Sequence, residues 1–206
     1  MSREQLTQAV MGLPLTERVS LAQDLWQSMD EIRRTASSVV YRNRWMTVRE
    51  DQIIRASGQT GIYSVVEKPD FAVIAPLHQN RLYLVEQYRY PVAGRFWEFP
   101  QGSWEKEKLD PMALAAAELR EETGLVAGSM VHAGRLFLAY GYSTQGYDLC
   151  LATQLEQRDA QREPEEEGLV TQAFEVAEVE RMICEGVIQD ATTVAAFGLL
   201  RLKGLL

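Results

Sequence analysis

Hydrophobic residues recur at helical spacing through the first thirty residues of the chain. The pattern covers two segments, roughly 3–11 and 15–29, which Pro14 separates. The second segment carries an apolar stripe with steps of three and four residues, formed by Leu15, Val19, Ala22, Trp26 and Met29. Such a stripe is typical of a helix with one buried face. We therefore predict an N-terminal helical hairpin or extension over residues 1–35, packed on the rest of the protein or on a protein partner.

From about residue 40 the pattern changes to short β-branched and aromatic runs bounded by turn residues, which is typical of strands. The runs are GIYSVVE, DFAVIAPL, RLYLVEQYR, RFWEFP, GRLFLAY and YDLCLATQL. Helical patterns interrupt or follow them at about 111–123, 176–185 and 190–202. Strands with one internal helix and further helices at the end predict a main domain over residues 36–206, of α+β class or a layered α/β/α sandwich.

The helix at 111–123 has clear start and stop signals. Asp110 is a good N-cap, and Pro111 suits the first helical position because its missing N–H costs nothing there. Gly124 suits the left-handed conformation that ends many helices. These residues bound the helix on both sides.

Three carboxylates crowd one flank of this helix, those of Glu118, Glu121 and Glu122. Like charges at such spacing destabilise a helix. Divalent cations change that balance, because they take carboxylates as hard oxygen ligands and can bridge them to a pyrophosphate. The flank is therefore a candidate metal site.

Composition narrows the class of protein. A hydrophobic fraction of 46% is ordinary for a globular domain, and no apolar run approaches the roughly eighteen residues needed to span a membrane. The net charge of −8 argues against nucleic-acid binding, which depends on Lys and Arg. Cys150 and Cys184 lack CxxC spacing, and the N-terminus lacks an export signal. Both observations predict free thiols in a reducing cytoplasm.

The strand FWEFPQG, a loop at 102–110 and the helix that follows together resemble the Nudix box. The second half of that motif reads Arg-Glu-U-x-Glu-Glu-x-Gly-U, where U is a bulky aliphatic residue. The matching residues here are Glu118, Leu119, Glu121, Glu122, Gly124 and Leu125. Gly102 matches the first glycine of the motif, but it lies one residue farther from Gly124 than the motif requires.

Two supporting positions of the motif differ in this chain. Ala117 stands where the Nudix box has Arg, and the first Glu of the motif falls at Leu109 or Lys108, depending on which glycine is the reference. In the family these two residues support the loop and orient the helix carboxylates. Glu105 and Glu107 in the loop are candidates to replace that support. We therefore expect a retained metal site with a rebuilt supporting loop.

The resemblance implies that Glu118, Glu121 and Glu122 hold Mg²⁺, or alternatively Mn²⁺, with the backbone carbonyl of Gln101 as a further ligand. It also implies a catalytic part for Glu121 and a place for Gly102 in the substrate site. The implied fold is the Nudix-type α/β/α sandwich of mixed sheets with a short N-terminal helical extension.

Two longer stretches, LVEQYRYPVAGRFWEFPQG and EGVIQDATTVAAFGLL, look like the ADP-ribose pyrophosphatase branch of the family. By this resemblance Arg89 contacts a phosphate or ribose of the substrate, and Glu98 contacts a sugar hydroxyl. The alternative for each is an ordinary strand residue in a salt bridge. In this branch a Glu on a loop after the core strands helps to activate water. The acidic segment 156–170 matches that loop and points to Glu165 or Glu167, unless the segment is a solvated charge run.

The resemblance as a whole implies a cytoplasmic Nudix pyrophosphohydrolase. Its substrate would be a nucleoside diphosphate derivative such as ADP-ribose or another nucleotide sugar, cleaved to a nucleoside monophosphate and a phosphorylated moiety. Members of the branch commonly form dimers, so we expect a homodimer. The alternative is a catalytically weak, nucleotide-sensing module that contacts a protein partner through its N-terminal helices. Ala117 favours the alternative, whereas the three intact glutamates oppose it.

Overall fold

The computed structural model describes residues 2–28, 31–103, 110–158 and 168–206, with the backbone alone for 24–28. The chain divides into two compact units, one formed by Met1–Arg42 with Thr47–Val65 and the other by Asn43–Met46 with Val66–Leu206. In the described part of the chain, no helix has the length and apolar character needed to cross a membrane.

The first unit begins with the two predicted helices, α1 (Arg3–Met11) and α2 (Leu15–Ser28). A capping box starts α1, because the Ser2 side chain accepts from the Gln5 backbone and the Gln5 side chain accepts from the Ser2 backbone. A three-stranded sheet follows in the order of the chain, made of β1 (Ile32–Arg42), β2 (Thr47–Arg55) and β3 (Thr60–Glu67).

Strands β1 and β2 were not among the predicted runs. β1 begins at Ile32, so the last residues of the predicted helical extension lie in a strand. Every one of the eleven residues of β1 is exposed, so no alternation of apolar and polar positions marks it in the sequence. Its β-branched residues and its antiparallel register with β2, which has two irregularities, are what define it as a strand.

The second unit contains a seven-stranded sheet. Its strands are β4 (Phe71–His78), β5 (Arg81–Arg89), β6 (Gly94–Glu98), β7 (Gln101–Gly102), β8 (Leu125–Phe137), β9 (Gly146–Gln157) and β10 (Val170–Glu175). The order is β10-β5-β4-β9-β8, with β6 paired to β5 and β7 paired to β4. β4 and β9 run parallel, whereas the other pairs are antiparallel, so the sheet is mixed as predicted.

Three helices cover this sheet, α3 (Pro111–Thr123), α4 (Val176–Cys184) and α5 (Ala191–Leu202). Successive side chains of a strand point to opposite faces, and β4 divides its residues accordingly. Phe71, Val73 and Ala75 belong to the core with α4 and α5, and Ala72 and Ile74 belong to the core with α3. Helices on both faces of a mixed sheet confirm the predicted α/β/α sandwich.

Two boundaries in this unit differ from the prediction. β8 begins at Leu125 rather than near Gly134, since its weak alternation and its glycines hide the first half of the strand. β10 starts at Val170, at the end of the segment expected to be a loop, where it pairs with β5. Residues 159–167 of that segment lie outside the described residues.

Candidate active site

Helix α3 has the bounds that its caps predict. The Asp110 side chain accepts from the Met112 backbone N–H, and Pro111 occupies the first helical position. Gly124 has a φ of 73° and donates its N–H to the Arg120 carbonyl at 2.9 Å. A left-handed glycine therefore ends the helix one residue after the carboxylate run.

The carboxylates of α3 are unequally buried. Glu118 is 7% exposed and Glu122 is 3% exposed, whereas Glu121 is half-buried. On the same helix, Leu114, Ala115 and Leu119 pack into the core beside β4, so α3 lies against the sheet. The carbonyl of Glu122 also accepts from the Thr171 hydroxyl at 3.3 Å.

Residues 99–102 contact these carboxylates; this segment, which ends in the short strand β7, is here called the 99–102 turn. The Gln101 backbone N–H donates to Oε2 of Glu122 at 3.1 Å. Gly102 lies directly against Glu118, because a Cβ atom at Gly102 would overlap the Glu118 carboxylate. Only glycine permits so close an approach of backbone and side chain. The structure thus brings together four of the predicted site residues.

This arrangement fits a hard divalent cation. Glu118 and Glu122 present two carboxylates beside the backbone of Gln101 and Gly102, and carboxylate and carbonyl oxygens are the ligands that Mg²⁺ takes. Among the described residues, no three His, Cys, Asp or Glu side chains form a ready-made metal cluster. Glu118 and Glu122 would therefore need further ligands, such as the backbone carbonyl of Gln101.

The predicted substrate residues Arg89 and Glu98 pair with each other. Arg89 Nε donates to Glu98 Oε2 at 3.2 Å, and its Nη2 donates to Oε1. Gln87 Nε2 also donates to Oε1, at 2.7 Å. Glu98 is 2% exposed while the Arg89 side chain is 39% exposed. Burial raises the pKa of Glu98, Arg89 opposes that rise, and the nearby Asp190 carboxylate adds to it.

A cavity of about 560 Å³ opens beside the 99–102 turn. That volume is within the range of small-molecule sites. Four predicted site residues line it: Arg89, Glu98, Gln101 and Gly102. Lys68, Gln145, Gln189 and Asp190 also line it, and sequence reasoning missed them. Gln189 and Asp190 lie in the stretch EGVIQDATTVAAFGLL, whose resemblance to the ADP-ribose pyrophosphatase branch was a signal that could have found them. Lys68 and Gln145 lie outside both stretches that carry this resemblance.

Glu165 and Glu167 lie outside the described residues, as do the loop acids Glu105 and Glu107. Their roles therefore stay predictions. Ala117, the position where the Nudix motif has Arg, lies within α3 and is half-buried.

Two family models match the chain. The model of the NUDIX domain matches residues 68–196, and that of the nucleoside diphosphate sugar hydrolase N-terminal domain matches residues 32–66. The chain belongs to the Nudix family. The prediction of an enzyme of the Nudix pyrophosphohydrolase class is confirmed at this level. The second model covers the three strands of the first unit, which the sequence analysis did not separate from the Nudix domain.

Individual relatives match most of the chain. An ADP-ribose pyrophosphatase of Mycobacterium tuberculosis is 29% identical over 162 residues, 78% of this chain and 78% of the relative. A Bacillus methanolicus protein named methanol dehydrogenase activator is 30% identical over 166 residues, 80% of this chain and 89% of the relative. An ADP-ribose pyrophosphatase of Bacillus subtilis is 25% identical over 183 residues, 86% of this chain and 96% of the relative.

A solved structure supports the Nudix fold. The crystal structure of an ADP compounds hydrolase matches with a TM-score of 0.75 and covers 85% of this chain and 96% of that chain. The two sequences are 22% identical, so this likeness concerns the fold.

Proposed function

We propose that the protein hydrolyses the pyrophosphate bond of a nucleoside diphosphate derivative, with ADP-ribose or another nucleotide sugar as the substrate. The observation that carries this proposal is the meeting of buried Glu118 and Glu122 with the 99–102 turn, beside a cavity of about 560 Å³. Two relatives that bear the name ADP-ribose pyrophosphatase support the choice of substrate. The products are a nucleoside monophosphate and a phosphorylated moiety.

The cofactor in this proposal is Mg²⁺, with Mn²⁺ as a substitute, since Nudix hydrolases generally use divalent metals. Glu118 and Glu122 would hold it through carboxylate oxygens, and Gln101 through its backbone carbonyl. When bound, a divalent cation lowers the pKa of water and neutralises charge that develops on phosphate. Glu121, which is only half-buried, would contribute a further ligand or orient the attacking water.

Arg89 and Glu98 act together in this proposal. Arg89 uses Nε and Nη2 on Glu98, which fixes the guanidinium plane and leaves Nη1 for a phosphate oxygen of the substrate. Gly102 keeps the turn free of a side chain where it lines the cavity. Glu165 or Glu167 of the acidic segment 156–170 would supply a general base.

The decisive experiment measures AMP or phosphosugar release from a panel of nucleoside diphosphate derivatives with Mg²⁺, Mn²⁺ or EDTA. We expect metal-dependent cleavage that Glu122→Gln abolishes while the fold, followed by circular dichroism, stays intact. Glu156→Gln is the matched control, because that carboxylate is 69% exposed on β9 and pairs with Arg158. Full activity of Glu122→Gln would refute the assignment of Glu122.

A second candidate is a catalytically weak module that binds a nucleotide and acts on a protein partner. Ala117 in the position of the motif's Arg favours it, as does the name of the Bacillus methanolicus relative, an activator of a dehydrogenase. The N-terminal helices are the proposed contact, since Leu6, Met11, Leu15 and Val19 are all exposed. Tight nucleotide binding by calorimetry without cleavage of any panel member would support this candidate over the hydrolase.

We also propose a cytoplasmic homodimer that uses β1. This strand is exposed along its whole length and carries Ile32, Val39, Val40 and Tyr41 with 44% to 61% of each residue accessible. An exposed apolar strand of this kind normally pairs or packs with another chain. Light scattering should show two copies per particle, and Val40→Lys should yield monomers. A monomeric wild type would exclude the dimer.

A further inference from the structure

Helix α5 begins with a hydrogen-bonded side-chain pair. Asp190 is its N-cap, and Oδ2 of Asp190 accepts both the backbone N–H of Thr193 at 2.8 Å and the Thr193 hydroxyl at 2.7 Å. Ordinary capping requires only the backbone contact. In the second contact the Thr193 hydroxyl donates its hydrogen to Asp190. The lone pairs of Thr193 Oγ1 can then accept a hydrogen bond from another group.

That group is the Phe99 backbone N–H, which donates to Thr193 Oγ1 at 2.9 Å across 94 positions of sequence. Thr193 and Phe99 are both fully buried, so no water competes for either partner. A buried N–H without an acceptor is unfavourable, so this bond holds the start of the 99–102 turn to α5.

The rest of the 99–102 turn is held from other elements. The Pro100 carbonyl accepts from the Ile74 backbone N–H of β4 at 2.9 Å. The Gln101 backbone N–H donates to Glu122 of α3, and its side-chain Nε2 lies 3.5 Å from Asp190 Oδ2. The turn is therefore bonded to α5 at one end and to the carboxylates of α3 at the other.

We propose that Thr193, oriented by Asp190, is a positioning residue that sets the 99–102 turn against Glu118 and Glu122. This inference rests on the proposed function, because the position of the turn affects catalysis only if Glu118 and Glu122 serve that function. Misplacing catalytic or ligand groups by about 1 Å can cost on the order of a hundredfold in rate. Residues that orient ligands from behind typically matter by about 10- to 100-fold.

The variants are Thr193→Val, which keeps the shape but removes the hydroxyl, and Thr193→Ser, which keeps the hydroxyl. Val179→Ala is the control, because Val179 is fully buried in the core with α5. Its apolar side chain takes no part in the hydrogen bonds among Asp190, Thr193 and the turn. It lowers stability without breaking the bond to Phe99.

We expect Thr193→Val to lower kcat about 10- to 100-fold with KM changed less than about threefold, and to weaken Mn²⁺ binding measured by electron paramagnetic resonance about tenfold. Hydrogen exchange of the peptide that contains Phe99 and Gln101 should accelerate. Thr193→Ser should restore all three values to within about threefold of wild type. Val179→Ala should lower the melting temperature only.

Thr193→Val that behaves as Val179→Ala, with kcat, Mn²⁺ binding and exchange at the turn unchanged, would overturn the proposal. Should that variant not fold, Thr193→Ala replaces it, since Ala also lacks the hydroxyl and is favourable inside α5. Hydrogen exchange and Mn²⁺ binding do not require turnover. A wild type without hydrolase activity would therefore refute the proposed function while these two readouts still test the positioning role.

Discussion

Gly102→Ala separates the geometry of the site from the stability of the fold. A Cβ atom at residue 102 would overlap the Glu118 carboxylate, so that carboxylate must move by about 1 Å to regain ordinary contact. The moving group is the end of a flexible side chain, and overpacking typically costs about 1–3 kcal/mol. A displacement of that size at a reacting centre lowers the rate by about 100-fold.

The assay compares kcat at saturating substrate and Mg²⁺ with the melting temperature of the same sample. We expect kcat to fall about 100-fold while the protein remains folded at 25 °C. Gly198→Ala is the control, because a Cβ atom there meets no atom within 4 Å and Gly198 lies in α5. That control should gain about 0.5–1 kcal/mol of stability and keep its activity. Wild-type kcat in folded Gly102→Ala would refute the claim that Glu118 must occupy its present position.

Two further predictions concern titratable groups. Burial raises the pKa of the Cys150 thiol to about 12, whereas Cys184 is exposed. An aromatic disulfide reagent at pH 8 should therefore label Cys184 and spare Cys150 until the protein unfolds. Labelling of both thiols in the folded state would contradict this. Because the pKa of Glu98 is raised, the folded state binds the Glu98 proton more tightly than the unfolded chain does. Glu98 therefore contributes stability at low pH, and this contribution is lost as pH rises from the unfolded pKa, near 4.5, through the folded pKa. Urea titrations at several pH values should show this loss in wild type and not in Glu98→Gln; parallel curves would refute it.

Local signals predicted α3 accurately. Asp110, Pro111 and Gly124 act within a few residues of the bonds that they satisfy, so the ends of the helix could be read from neighbouring letters. The same holds for the Glu118 and Glu122 flank, whose spacing fixes its side of the helix. The resemblance to a family motif implied a place for Gly102 in the substrate site, but the approach of Gly102 to Glu118 was not predicted.

Long-range contacts could not be predicted in this way. The pairing of Arg89 with Glu98 depends on the register of β5 with β6, and the bond from Phe99 to Thr193 spans most of the domain. Neither contact produces a signal in the local pattern of the sequence. Strand β1 escaped because a strand with no buried face has no alternation to detect.

Strand β4 also has a consequence for engineering. Its side chains belong alternately to two separate cores, so a substitution at Val73 changes the packing of one core and a substitution at Ala72 that of the other. Effects on stability should add for pairs of residues, one from each core, that lie more than about 7–10 Å apart and share no partner. Ile74 has two roles, since its side chain lies in the core with α3 while its N–H donates to the Pro100 carbonyl. Directed evolution for heat resistance should therefore leave Ile74 unchanged, and also Phe99, which lies in the core with α4 and α5 and donates its N–H to Thr193.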